Sequence, residues 1–275
     1  IGPESINVMT TSSPKRFSET THPHSLLDVK NLNKNFAGFQ AIDGVNFQLF
    51  SGERHAIIGP NGAGKTTFFN LLTGHLQPTS GQVLYKGHSL RQLAPHNIVR
   101  LGLARSFQLI NIYPRMTVFQ NIQVAVIARN KKHFSFFKSA NSLFQRETEE
   151  LLELVTLVEE RKVIAGELAY GKQKQLELAI SLASNPEVLL LDEPTAGMST
   201  SETNEAISLI KEISSARSLT LLFTEHDMGV VFGIADQISV LHHGKIVATG
   251  SPEEVRNNTT VKNIYLGDGE TDGQS

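Results

Sequence analysis

The chain has no cysteine, which excludes a disulfide scaffold, a thiolate zinc site and a cysteine nucleophile. It also lacks long apolar runs. The longest are pieces such as Val124–Ala128, Val188–Leu191 and Leu219–Phe223, far short of the roughly 18 residues that cross a bilayer. The chain is therefore expected to be soluble by itself, and a membrane role must come through a partner. Neither charge dominates, with 25 basic residues against 27 acidic ones, which argues against a nucleic-acid surface or a polyacidic tail. Residues 1–25 are rich in Ser, Thr and Pro around the isolated pair Lys15-Arg16 and have no apolar core of the secretory kind. A disordered tail is favoured there over a transit-like peptide, with Met9 the expected start of translation and a second tail at 267–275. No internal repeat is visible.

What is present begins with Gly59-Pro60-Asn61-Gly62-Ala63-Gly64-Lys65-Thr66, which fits the phosphate-binding pattern G-x-x-x-x-G-K-[ST]. Glycines let the backbone curl so that successive N–H groups converge on one anion. Lys65 can then reach β- and γ-phosphates, and the Thr66 hydroxyl can ligate Mg²⁺. His55–Ile58 before the loop reads as a buried strand and Thr67–Leu72 after it as a helix, whose N-terminus favours negative charge. A glycine-rich turn with a surface lysine would not bring both flanks. The expected ligand is a nucleoside triphosphate.

At 275 residues and 40% hydrophobic, the chain can bury a sizeable core in one large domain or two small ones. Leu27–Lys30 and Val45–Leu49 alternate with period two and predict an antiparallel sheet before the loop, to which Gln82–Lys86 returns. Residues from about 109 to 184 read as mainly helical, with Leu151, Leu154, Val155 and Val158 on one face and Leu176, Ala179, Ile180 and Ala183 on another. The stretch 129–146 is basic and aromatic, and a solvated helix pair is favoured there over a nucleic-acid or membrane patch. The last third alternates strand and helix. Ser199-x-x-Glu202 and Ser251-Pro252-Glu253-Glu254 open two of its helices.

Asp192 and Glu193 close the apolar run Val188–Leu191. An aspartate at the end of a buried strand beside such a loop is placed to hold Mg²⁺, directly or through water. Glu193, one residue on, points off the other side, toward an attacking water.

Five segments now stand in one order: Gly59–Thr66; Gln108 in Ser106-Phe107-Gln108; Leu168-Ala169-Tyr170-Gly171-Lys172-Gln173; Leu189–Pro194; and His226 in Thr224-Glu225-His226-Asp227. That order resembles the ABC ATPases over about Leu26 to Leu266. The Leu-Ala-Tyr-Gly form, the basic insertion, Glu225–Met228 and the closing Ile264-Tyr265-Leu266-Gly267 look most similar to the ATP-binding subunits of branched-chain amino acid importers. The resemblance implies an α/β fold: a P-loop NTPase, RecA-like core with an antiparallel β subdomain and an inserted α-helical subdomain (about 109–184) in one domain over 26–266.

It also implies roles. Phe36 would stack on adenine, although it would equally suit a core phenylalanine. Gly59 to Thr66, with Thr67, would hold the nucleotide. Thr66, Gln108 and Asp192 would serve Mg²⁺, with Gln108 also sensing the attacking water. Glu193 would be the base, and His226 would hydrogen-bond the γ-phosphate and hold Glu193 and water in line. Leu168, Ala169, Tyr170, Gly171 and Lys172 would complete the site of a second ATPase subunit. Two departures matter. Ala169 lacks the serine hydroxyl usual in that signature, with Tyr170 and Lys172 also altered, and Ser199 stands where the family commonly has an aspartate.

The implied function is hydrolysis of Mg²⁺·ATP to energise import of branched-chain amino acids or similar small polar solutes. The implied partners are transmembrane permease subunits, a second ATPase subunit and, indirectly, a solute-binding protein, with no nucleic acid. The implied place is cytoplasmic, peripheral on the inner face of the cell membrane. Alternatives are a urea or amide importer, a lipopolysaccharide-export ATPase, a soluble ABC ATPase outside transport, or a module that binds ATP without turnover.

Overall fold

A computed structural model describes residues 25–106, 112–130 and 144–267. Residues 1–24 and 268–275 of the expected tails, Gln108, and most of the 129–146 stretch lie outside those residues, whereas Ser25 begins the first strand and Gly267 ends the last helix. Two sheets are present among them. Strands β1 (Ser25–Phe36), β2 (Phe39–Phe50), β4 (Ser80–Tyr85) and β5 (His88–Ser89) form an antiparallel sheet in the order β2-β1-β4-β5. The second has six strands. They are β3 (Arg54–Ile58), β6 (Leu103–Arg105), β7 (Val188–Asp192), β8 (Thr220–Thr224), β9 (Gln237–His242) and β10 (Lys245–Gly250), in the order β10-β9-β3-β8-β7-β6. It is parallel except for the β9–β10 pair.

Strands β7 and β8 are buried at every residue, as an apolar run covered on both faces must be. Side chains of β3, β7 and β8 alternate between two cores. Ala56, Ile58, Leu189, Leu191, Leu221 and Phe223 join one, while Ile57, Val188, Leu190 and Leu222 join the other. The second core holds the antiparallel sheet together with α1 (Lys65–Leu72) and α2 (Pro95–Leu101). The first holds α3 (Val118–Arg129), α4 (Gln145–Leu154), α5 (Tyr170–Leu182), α6 (Thr200–Arg217) and α7 (Met228–Ile234). Two short helices, α8 (Pro252–Asn257) and α9 (Thr259–Gly267), close the described chain.

The helical stretch differs from its sequence reading at one end. Val158 is 39% exposed and lies beyond α4, whereas Leu152 is fully buried. The chain leaves helical geometry at Thr156, whose φ is +58°, so the periodicity that would have buried Val158 no longer applies. Both predicted capping boxes form, Ser199 with Glu202 and Ser251 with Glu254. A third, Thr117 with Gln120, opens α3.

Candidate nucleotide site

The central strand β3 runs into the glycine loop, and the loop runs into α1. Gly64 caps that helix at φ +108°, where an added Cβ would fall 2.7 Å from the Ala41 carbonyl oxygen. A methyl group at Gly59 would fall 2.0 Å from the Leu241 carbonyl oxygen. Both glycines are therefore demanded by neighbouring backbone as well as by the turn. A cavity of about 420 Å³ opens over the loop. It is lined by Asn61 to Thr67 together with Phe39, Ala41, Glu193 and His226. A larger groove of about 930 Å³ lies away from these residues, around His55 and Phe47.

Lys65 is buried, and its ammonium donates to the carbonyls of Gly59 (2.6 Å) and Pro60 (3.1 Å). Burial lowers its pKa, against the pull of Glu193 and Asp192. On the rim, Glu193 Oε1 and His226 Nε2 meet at 2.7 Å. Glu193 has φ +50° and its N–H is held by the Thr224 carbonyl and hydroxyl oxygens at 3.1 and 3.2 Å. Asp192 has a partner on each oxygen: Oδ1 accepts from the Thr224 hydroxyl at 2.7 Å, and Oδ2 pairs with the Arg105 guanidinium at 2.6 Å, which leaves further lone pairs on both. The same guanidinium reaches Asn70 Oδ1 on α1 at 2.6 Å, so the aspartate is tied to the helix that follows the loop. Burial pushes the Tyr265 hydroxyl up to about 12, with the Gly59 backbone pulling the other way.

Among the described residues no group of three or more His, Cys, Asp or Glu could hold a metal. Mg²⁺ needs no such cage: it is commonly held by one or two protein oxygens plus substrate phosphates. The Thr66 hydroxyl and Asp192 suit that chemistry, and the glycine cradle suits phosphate.

The structure brings Asn61 to Thr67, Glu193 and His226 together around the cavity, with Gly59 and Pro60 in the same loop. Phe36 is not among the lining residues. Its ring carries the Lys34 ammonium at 4.9 Å, and Phe39, its partner across the β1–β2 turn, lines the cavity with 65% of its surface exposed. Leu168 to Lys172 do not line it either. Ala169 is the uncapped N-cap of α5, the Lys172 ammonium lies 3.4 Å from Glu160, and the Tyr170 ring packs where Gly197 has no side chain. A Cβ on Gly171 would meet Glu202 Oε1 at 2.7 Å, so a carboxylate of the same chain sits at the start of α5. Ser199 spends its side chain on Glu202.

Residues 42–196 match the family model described as ABC transporter. This chain belongs to the ABC transporter family. Residues 245–271 further match the model described as branched-chain amino acid ATP-binding cassette transporter. The chain is 41% identical over 250 residues to the high-affinity branched-chain amino acid transport ATP-binding protein LivG of Escherichia coli K12, covering 88% of this chain and 98% of LivG. It is 38% identical, with the same coverage, to BraF of Pseudomonas aeruginosa, described in the same words. Among solved structures, the ADP conformation of MJ1267, an ATP-binding cassette of an ABC transporter, matches with a TM-score of 0.79 and 28% identity, over 89% of this chain and 99% of that one. The α/β P-loop fold expected from the sequence is therefore the fold of the family.

Sequence reading passed over Arg105, Thr195 and Phe39, and gave Thr224 and Glu225 no role beyond their place in the segment around His226. Arg105 carried a usable signal, a lone cation closing the apolar pair Leu103-Ala104, but its partners Asn70 and Asp192 are far away in the chain.

Proposed function

We propose that this chain is the ATP-binding and ATP-hydrolysing subunit of an importer for branched-chain amino acids or similar small polar solutes. The observation that carries hydrolysis is the Glu193–His226 pair, 2.7 Å apart on the rim of the glycine-loop cavity. The substrate class is supported by LivG and BraF, and by the match at 245–271. A weaker likeness to the lipopolysaccharide export ATP-binding protein LptB of Haemophilus influenzae, 31% identical, leaves import favoured.

The loop N–H groups and Lys65 bind the triphosphate, and Phe39 rather than Phe36 offers its face to the base. Thr66 and Asp192, with Gln108, would hold a magnesium ion, which would supply neutralisation of phosphate charge. Glu193 accepts a proton from the water that attacks the γ-phosphorus, and ADP departs as the bond to the β-phosphate oxygen breaks. His226 orients Glu193 and the γ-phosphate. Chemistry of this kind needs positioning and charge neutralisation, not a covalent intermediate. The 168–172 segment serves a second subunit, packed head to tail, and closure on ATP drives permease partners at the inner face of the membrane. The described residues include no helix long and apolar enough to cross it.

Glu193→Gln tests this reading. ATP binding is retained, turnover falls by about two orders of magnitude or more, and size-exclusion chromatography with ATP shows a trapped dimer. Near-normal hydrolysis by that variant refutes the assignment. Co-expressed with its permeases, the wild-type chain should support labelled leucine uptake and the variant should not.

A further inference from the structure

Three successive residues at the end of β8 each hold a residue at the end of β7 or just past it. Thr224 donates to Asp192, and His226 pairs with Glu193. Between them stands Glu225, 4% exposed. Its Oε1 accepts from the Thr195 N–H at 2.9 Å and from the Thr195 hydroxyl at 2.7 Å, and its Oε2 faces the His226 N–H at 3.2 Å.

A carboxylate withdrawn from water is costly unless donors replace its hydration. Here three donors do so, and they come from two loops that carry the base and its histidine. A glutamine could keep the Thr195 contacts but would then turn an NH₂ toward the His226 N–H, donor against donor. An aspartate would be one methylene short.

We propose that Glu225 is a positioning residue for ATP hydrolysis. By fastening Thr195 to the His226 backbone, it fixes the two loops in one register and holds Glu193 and His226 within hydrogen-bond reach. This rests on the roles given above to that pair.

The test compares Glu225→Ala, Glu225→Gln and Thr195→Val with wild type and with Glu193→Gln. Glu225→Ala should lower kcat by about 10–100-fold, the usual cost of losing a residue that orients a reacting one. KM and nucleotide affinity should move by no more than about threefold, because the phosphate cradle is untouched. Thr195→Val keeps its N–H, so its loss should be smaller, and it should add little in the Glu225→Ala background because both act through one network. The NMR resonances of the His226 imidazole at one fixed pH supply a readout that a merely structural role would not move: Glu225→Ala should shift them toward their positions in Glu193→Gln, because the contact with Glu193 is loosened.

A wild-type kcat and wild-type His226 imidazole resonances in folded Glu225→Ala would overturn the proposal. Where thermal unfolding shows that this variant does not fold, Glu225→Gln and Thr195→Val carry the same comparison. Normal hydrolysis by Glu193→Gln would sink the base assignment instead, so the two failures are distinguishable.

Discussion

Gly59 sits at φ +153° with the Leu241 carbonyl oxygen 2.0 Å from where its Cβ would be. No side chain can be accommodated without moving either the loop or β9, since the obstacle is backbone. Overpacking of this kind typically costs about 1–3 kcal/mol. Gly59→Ala should therefore lower the thermal midpoint by several degrees, on the order of 2–4 °C per kcal/mol for a domain of this size. It should also weaken ATP binding more than it weakens folding, because the displaced atoms are the phosphate-binding N–H groups. Calorimetric titration beside thermal unfolding checks both. Unchanged affinity would mean that the cradle lies elsewhere. Lys65 belongs to the same scale: burial lowers its pKa, while the nearby Glu193 and Asp192 favour its charged form.

At the scale of the element, α5 is the helix whose start departs most from family expectation. Its N-cap, Ala169, is extended at φ −58° and ψ 152° and supplies no side-chain bond. A hydroxyl there would accept a hydrogen bond from an N–H in the helix's first turn, an exchange worth about 0.5–2 kcal/mol at N-caps. The same hydroxyl would keep its own proton for a phosphate oxygen. Ala169→Ser should therefore raise the thermal midpoint and also tighten the ATP-bound dimer or speed hydrolysis. Thermal unfolding and steady-state rate measurements separate the two effects. A stabilised protein with an unchanged rate would mean that the hydroxyl proton never reaches phosphate. Capping elsewhere follows the sequence, since α3, α6 and α8 each begin with a hydroxyl residue and a Glu or Gln three positions on.

For the whole molecule, the decisive feature is that Leu168 to Lys172 stand apart from the cavity of their own chain. Gly171→Asp should abolish the dependence of ATPase rate on protein concentration while leaving nucleotide binding by the monomer intact. Glu202 complicates this variant, because its carboxylate occupies the space a Gly171 side chain would enter. Like charges would repel within one chain. Nucleotide titration and thermal unfolding of the monomer control for that repulsion. A wild-type concentration dependence would refute a site shared between two subunits.

The sequence by itself determined the features that neighbours along the chain enforce. The loop Gly59–Thr67 was legible because backbone reversal and phosphate geometry are written in eight or nine adjacent residues. Strands β7 and β8 were legible as unbroken apolar runs, and two helix starts as capping pairs three residues apart. Only the tertiary structure decided which side chains meet at the ends of β6, β7 and β8. Arg105 reaches Asp192 over 87 positions, and Glu225 reaches Thr195 over 30. It also decided that Phe39 lines the cavity while Phe36, three residues earlier, does not. The physical reason is strand order: β7 lies between β8 and β6, and no local periodicity specifies which strand becomes a neighbour. Hydrogen bonds confer short range and direction, so these contacts exist only once the sheet has set their donors and acceptors within 3 Å or so of each other.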